Sequence, residues 1–438
     1  MRITLLLALL AFPAIALAQE AKPNIVLIMA DDLGYGDVGF NGGPWKTPTL
    51  DQLAKQSVIM DQHYSLPVCS PTRSSLLTGR FNSRFGVLSP QNERAYPFDT
   101  VTIAAALKSI GYDTALIGKW HLGSLPEWGP QLFGFQFSYG SLAGGVTSWS
   151  RVYKRGPYSQ TWHRNGKLIE EKEGHVTDLL TAEAVKFIET RRDGPFLLYV
   201  PYTAVHLPID EPKEWLDLYP GKSEGDRQYG ACVSHLDDGV GRILKALDRT
   251  KQRDNTIVLF ISDNGGSSGT ENNDPQYAGI HPSFKIPAKN GRLRGKKGQL
   301  YEGGIRGPAL IHWLGKLPAG KTETPIHVAD WFPTFAARAG FQPKTDLKWD
   351  GRDIWPALLG KKMEPRPIYL MGPGQATALR HGDWMLLTMK GKTELYNLAD
   401  DPWQEKDLYN SHTERVRELQ AMLQRVAQRD FDAQVKKK

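Results

Sequence analysis

Apolar runs of strand length alternate along this chain with stretches of helical period, and that alternation limits the fold more than any other feature. Residues 24–29, 196–200 and 257–261 are apolar runs without a polar face, the pattern of strands buried on both sides. Residues 114–117 and 309–313 read as further strands. Between them Tyr229, Val233, Leu236, Val240, Ile243 and Leu247 recur at intervals of 4, 3, 4, 3 and 4, one face of an amphipathic helix. Helices are also predicted over 101–110, stopped by Gly111, and over 179–188. Thr47 reads as the cap of a short helix with Pro48 in its first turn. The fold class that follows is α/β, a large, mostly parallel central sheet flanked by helices. In such sheets ligands bind beyond the carboxyl ends of the strands.

The last part of the chain has a different texture. Residues 368–371, 377–380, 384–389 and 394–397 read as short strands separated by Gly and Pro. A final helix carries Val416, Leu419, Leu423 and Val426, with Ser411 and Glu414 spaced as a capping box. This is a small α+β subdomain, an antiparallel sheet plus one helix. At the other end, Arg2, an apolar run and Ala16-Leu17-Ala18 form an export signal. The run is too short for a membrane anchor and Pro13 interrupts it. The expected organisation is a signal peptide over 1–18, a main domain carrying the chemistry over 19–350 and the C-terminal subdomain over 351–438. The product would be exported, periplasmic or secreted.

Two cysteines in 438 residues exclude a disulfide scaffold and a multi-cysteine zinc module. A net charge of +7 favours acidic ligands, and export makes these extracellular anions such as sulfated or phosphorylated glycans rather than nucleic acid. Asp31-Asp32 directly follows one buried run, and Asp263-Asn264 follows another. Adjacent carboxylates at a dry strand end repel each other unless a cation bridges them. Four hard oxygen donors without histidine suit Ca²⁺ or Mg²⁺, although Asp and Asn also end strands simply as turn residues. In Cys69-Ser70-Pro71-Thr72-Arg73-Ser74-Ser75-Leu76-Leu77-Thr78-Gly79-Arg80, Pro71 marks a first helical position and puts Cys69 at a helix N-terminus. Backbone N–H groups there favour an anion, and Arg73 adds a cation one turn on.

That twelve-residue segment resembles the signature of the type I sulfatases, formylglycine-dependent members of the alkaline phosphatase superfamily. The resemblance extends to D-D-L-G-Y-G-D from Asp31, G-K-W-H-L-G from Gly118, V-H-L-P from Val205, S-D-N-G-G from Ser262, L-R-G-K-K-G-Q-L-Y-E-G-G-I-R-G from Leu293 and L-Y-N-L-A-D-D-P-W-Q-E-K-D-L from Leu395. It implies that a formylglycine-generating enzyme oxidises Cys69 to Cα-formylglycine, and that one Ca²⁺ is held by Asp31, Asp32, residue 69, Asp263 and Asn264. One hydroxyl of the aldehyde hydrate would attack sulfur; the second would lose its proton and release sulfate. By the same resemblance Arg73 orients the hydrate and metal site. Lys119 and His121 bind sulfate and assist deprotonation. His206 approaches the leaving oxygen, and Lys297, rather than Lys296, binds sulfate and acts with His206 in leaving-group protonation.

The flanks of the site are similar to arylsulfatase B, the N-acetylgalactosamine-4-sulfatase, and to bacterial glycan sulfatases. They imply a sulfated oligosaccharide or polysaccharide substrate with a 4-O-sulfated galactose or N-acetylgalactosamine, as in chondroitin or dermatan sulfate or carrageenan. Within residues 141–167, Trp149, Tyr153, Tyr158 and Trp162 interleave with Arg151, Lys154, Arg155, His163 and Arg164. Such a loop offers faces for sugar rings and cations for further anionic groups, or is a packed surface loop. The competing expectations are a formylglycine-dependent phosphodiester or phosphonate monoester hydrolase, and an inactive sulfoglycan-binding protein with unconverted Cys69.

Overall fold

The computed structural model describes residues 21–436 apart from 172, 191 and 192; the expected export signal lies outside the described residues. Among these residues the main sheet has ten strands. Its centre is five parallel strands in the spatial order Thr256–Ser262, Asn24–Ala30, Phe196–Pro201, Asp113–Lys119 and Phe137–Ser141. Ala309–His312 joins this group antiparallel beside Thr256–Ser262, so the sheet is mixed but mostly parallel. Among the described residues no helix is long and apolar enough to cross a membrane.

The strand Asn24–Ala30 shows why a doubly covered sheet forms. Side chains alternate across a strand. Ile25, Leu27 and Met29 enter one core, with Leu76, Leu77, Ile103 and Phe332. Val26, Ile28 and Ala30 enter the other, with Tyr229, Val233, Leu236, Val240, Ile243 and Leu247. The helix Glu224–Arg249 thus buries the face that its 4, 3, 4, 3, 4 spacing defines. In the C-terminal part Ile368–Met371, Thr377–His381, Trp384–Met389 and Lys392–Asn397 form an antiparallel meander. One of its faces, with Leu370, Met385 and Leu387, joins the main core. The other, with Leu379, Leu386 and Leu395, packs under Val416 and Leu419 of the helix Thr413–Ala427.

Several local expectations are corrected. The helix over 101–110 is shorter, Ile103–Lys108, because Thr102 caps it by accepting from Ala105 N–H at 3.2 Å. Thr47 precedes Pro48–Ala54 but makes no cap bond; its hydroxyl accepts from Gly39 N–H at 2.8 Å and donates to Asp51 at 3.0 Å. Ser411 and Glu414 do not form a capping box. A turn from Leu408 absorbs Ser411, whose hydroxyl donates to Leu408 O at 3.1 Å, and His412 takes the cap position. Pro71 is the third residue of the helix Cys69–Thr78, not the first. The first four N–H groups of a helix lack internal partners, so proline is tolerated there. Part of segment 141–167 is sheet, not loop: Trp162–Arg164 pairs with Phe137–Ser141, and Trp162 and Tyr153 are buried in the core.

Between the helices Val176–Thr190 and Glu224–Arg249 lies a buried polar cluster that sequence reasoning did not single out. His235 Nδ1 sits 2.8 Å from Glu211 and its Nε2 3.3 Å from Asp178, which Arg242 also holds at 2.7 Å. The His175 ring stacks on His235, with Trp215 on the other face. Burial opposes charge on His235, but Asp178 and Glu211 hold it up at about 9; burial pushes His175 down, so only one imidazole carries charge. A folded value above the ordinary imidazole value stabilises fully below about pH 6.5 and is lost as the pH rises through about 9. His235→Gln is expected to lose up to about 3 kcal/mol of stability at pH 6 and little near pH 10, measured as urea midpoints across that range. A deficit independent of pH would contradict this.

Candidate active site

The site is assembled by register. Ala30 pairs with Ser262, so the residues that follow, Asp31-Asp32 and Asp263-Asn264, leave the sheet side by side. Asp263 N–H donates to Ala30 O at 3.0 Å and Asp31 N–H to Ala204 O at 2.8 Å, which extends the pairing past the strand ends. Asp113–Lys119 contributes Lys119 and, two residues on, His121. The segment after Phe196–Pro201 contributes His206. Asp32 and His121 hold φ of 64° and 57°, left-handed conformations that cost energy for residues with a Cβ and recur where side chains must be aimed. Gly145 allows the close approach of His206, because a Cβ there would stand 2.5 Å from His206 Nδ1.

The helix Cys69–Thr78 enters with every residue buried. Its first turn is tied to the sheet by hydroxyls: Ser70 donates to His121 O at 2.8 Å, and Thr72 donates to Asp263 O at 2.5 Å. The twelve-residue motif contained both residues, but their roles needed the fold to be seen. Cys69 Sγ donates to Asp31 at 3.4 Å. Burial, Asp263 and Asp31 push the Cys69 thiol up, against Lys119 and Lys297, so it stays protonated and is no activated thiolate. It is also unpaired, as is Cys232.

Around residue 69 three carboxylates meet three cations. Arg73 Nη2 lies 2.8 Å from Asp263, Lys119 Nζ 2.6 Å from Asp31 and Lys297 Nζ 2.7 Å from Asp32. Lys296 points elsewhere and donates to Ser268 O at 2.8 Å. Burial works against ionised Asp32, but Lys297 and the Asn264 amide outweigh it and hold its carboxyl well below the usual range. Burial and the neighbouring Asp31 push Asp263 up to about 6, against Arg73 and Lys119. Burial and Lys297 push His206 down to about 3, and burial with Lys119 and Arg73 pushes His121 down, so both imidazoles are neutral. Both ring nitrogens of His121 are buried without a hydrogen-bond partner.

Donor atoms of Asp31, Asp32, Cys69 and His206 lie within 4.8 Å of one another. Asn264 donates its amide to Asp32 at 2.8 Å and to Gly265 O at 2.9 Å, which leaves its buried Oδ1 without a partner. An orphaned buried carbonyl oxygen beside ionised carboxylates suits a hard divalent cation. Asp263 stands a step back in this structure, with Oδ1 accepting from Asp32 N–H at 3.1 Å and Oδ2 held by Arg73. Side-chain exposure is 0% at Asp31, Arg73, Lys119 and Asp263 but 21% at Lys297 and 13% at His206, so the pocket opens on the His206–Lys297 side. Tyr199 lies beside Arg73 as a buried phenol that burial keeps neutral and that accepts from the guanidinium; a tyrosine in mid-strand carries no sequence signal of that role.

Arg73 is the one cation here without solvent access that faces two of the carboxylates, Asp263 at 2.8 Å and Asp31 at 3.9 Å. Arg73→Met is expected to cost about 3–5 kcal/mol of stability, since it leaves buried charge unpaired. Urea unfolding reads this; a midpoint matching the wild type would show that these charges are not coupled.

The sulfatase family model matches residues 23–341. N-acetylgalactosamine-6-sulfatase of Mus musculus is 33% identical over 438 aligned residues, covering 94% of this chain and 81% of that protein. Arylsulfatase J of Mus musculus is 31% identical over 392 residues, and the match covers 85% of this chain but only 63% of that protein's length. The crystal structure of Ps i-CgsB in complex with k-i-k-neocarrahexaose superposes with a TM-score of 0.82 at 32% identity, covering 94% of both chains. The phosphonate monoester hydrolase of Agrobacterium radiobacter, 17% identical with a TM-score of 0.64, shares the fold. The chain belongs to the sulfatase family of sulfuric ester hydrolases.

Proposed function

We propose that this sulfatase is exported, is matured at Cys69 by a formylglycine-generating enzyme, binds Ca²⁺, and removes 4-O-sulfate from galactose or N-acetylgalactosamine units of a sulfated glycan. The observation that carries this reading is the meeting of Cys69 with three carboxylates and three cations at one set of strand ends. Asp31, Asp32, Asn264 and residue 69 would hold the ion, with Asp263 completing the set. Formylglycine hydrate would supply an attacking hydroxyl and a second hydroxyl for release of sulfate, and the ion would supply the charge that ionises the first.

The chain's own residues do the rest. Lys119 and Lys297 present ammonium groups to the sulfate oxygens, where negative charge must be held. Arg73, donating to Lys119 O at 2.9 Å and to Asp263, fixes both groups in place. His121, neutral and with open ring nitrogens, is suited to accept a proton from residue 69. At the mouth, His206 Nδ1 lies 2.5 Å from Leu207 O, which orients Nε2 towards the pocket. His206 is neutral and Lys297 is held protonated by Asp32 and its neighbours, so the proton for the leaving oxygen resides on Lys297. The neocarrahexaose bound to Ps i-CgsB supports a galactan substrate, whereas the identity with N-acetylgalactosamine-6-sulfatase favours a second reading, 6-O-sulfate of the same sugar.

Cys69→Ala is expected to lower turnover of 4-nitrophenyl sulfate about 10³-fold or more while leaving the unfolding midpoint intact; full activity would refute the nucleophile. Thorough chelation should lower activity and thermal midpoint together, and Ca²⁺ at a hundredfold over its Kd should restore about 2.7 kcal/mol. Unchanged behaviour would contradict the metal reading. Substrate is tested on a panel of defined sulfated oligosaccharides, with the desulfated position read by NMR. Loss of 4-O-sulfate is expected, loss of 6-O-sulfate supports the second reading, and preference for 4-nitrophenyl phosphate over the sulfate contradicts both.

A further inference from the structure

Most basic groups of segment 141–167 are committed to the fold. Arg151 donates to the carbonyls of Trp149, Gly174 and Glu171. Arg164 pairs with both oxygens of Glu183, at 2.6 and 3.0 Å. His163 is buried between Ser138 Oγ at 2.7 Å and Gly140 O at 2.8 Å. Arg155 is exposed and donates to Pro275 O at 3.2 Å.

Lys154 is different. It is half-buried, and among the described residues its ammonium meets no carboxylate within ion-pair distance. Nζ donates to the neutral amide of Gln276 at 2.9 Å and stands 5.9 Å from the centre of the Tyr277 ring. A β-bridge between Lys154 and Tyr277, and a bond from Arg155 N–H to Gln276 O at 2.7 Å, lock this arrangement. The Tyr277 ring meets Tyr153 edge-on at 6.3 Å, and Tyr153 meets the His121 ring at 6.4 Å. Lys154 therefore stands two aromatic rings from the floor of the sulfate pocket. Burial lowers its pKa; Asp274 opposes this, while Lys297 and Lys119 lower it further. A half-desolvated ammonium with one neutral acceptor has N–H donors left for an anion.

We propose that Lys154, presented by Gln276 and Tyr277, is an anion subsite beside the scissile sulfate that takes a second sulfate or carboxylate group of the glycan. This rests on the sulfated-glycan reading above. A substrate with one charge leaves Lys154 unmatched, whereas one with a second anionic substituent gains a charge-assisted contact before chemistry begins. The contact exists equally in the bound substrate and the transition state, so it acts on KM.

The test uses the matured, Ca²⁺-loaded enzyme on three probes: a monosulfated galactan oligosaccharide, its disulfated counterpart, and a monosulfated chondroitin tetrasaccharide that carries uronate carboxylates. The wild type should favour at least one doubly anionic probe about tenfold in kcat/KM through KM. Lys154→Ala should erase that preference and Lys154→Arg should keep it. The probe that shows the preference identifies the second anion as sulfate or carboxylate. A preference that survives in Lys154→Ala overturns the subsite, as does an equal fall in kcat on all three probes. A wild type that cleaves 4-nitrophenyl sulfate but none of the glycans overturns the glycan reading and the subsite with it. Glycan cleavage with an unchanged preference in the variant overturns the subsite alone.

Discussion

Three fully buried carboxylates cannot share one pocket without matched positive charge. Asp31, Asp32 and Asp263 meet this condition through Lys119, Lys297 and Arg73, each within 2.8 Å. The rest of the site is arranged around that pairing. It requires the helix Cys69–Thr78 to enter with Arg73 inward, and this places residue 69 against Asp31. It requires a loop to bring Lys297 over the strand ends. With a divalent ion on the carboxylates, Lys119 and Lys297 would be left without anionic partners and would face whatever anion enters. Carboxylates for a cation and lysines for a sulfate ester would then be two uses of one charge balance.

The C-terminal sheet has a share in that balance. Lys297 belongs to a segment whose neighbours are anchored there: Arg294 donates to Tyr396 OH at 2.7 Å and Gln404 O at 2.9 Å, and Tyr301 OH donates to Glu394 at 2.6 Å. Glu302 N–H donates to the Gln404 side chain at 2.8 Å. The meander thus sets the height of the loop that carries the mouth-side lysine, while Lys119 is set by the parallel strands. Lys119 and Lys297 are thus positioned by different layers of the molecule.

Much of this was legible in the sequence because the signals were local. Apolar runs gave the buried strands, helical spacing gave the long helix, and carboxylates placed just after apolar runs marked the strand ends. The family resemblance pointed to Lys297 over Lys296, and the structure brings Lys297 to Asp32 while Lys296 bonds Ser268 O. What escaped was non-local. Donor atoms of His206, Asp31, Asp32 and Cys69 lie within 4.8 Å of one another, while Asp263 stands a step back. Their relative depth depends on Arg73 drawing Asp263 back, a contact 190 residues apart in sequence. The aromatic segment, open in the sequence between sugar faces and a packed loop, is packed at two positions: Trp162 pairs into the sheet and Tyr153 is buried in the same core. Cap residues were misread where a side chain had a second option, as Thr47 does with Gly39 and Asp51.

Cation and anion would share the site through the release of Lys119 and Lys297 from their carboxylate partners. Calorimetric titration of inorganic sulfate with and without saturating Ca²⁺ tests it most directly. Ca²⁺ is expected to tighten sulfate binding by about tenfold, the size of an ordinary coupling between sites. Sulfate binding that is unchanged or weakened by Ca²⁺ would contradict it.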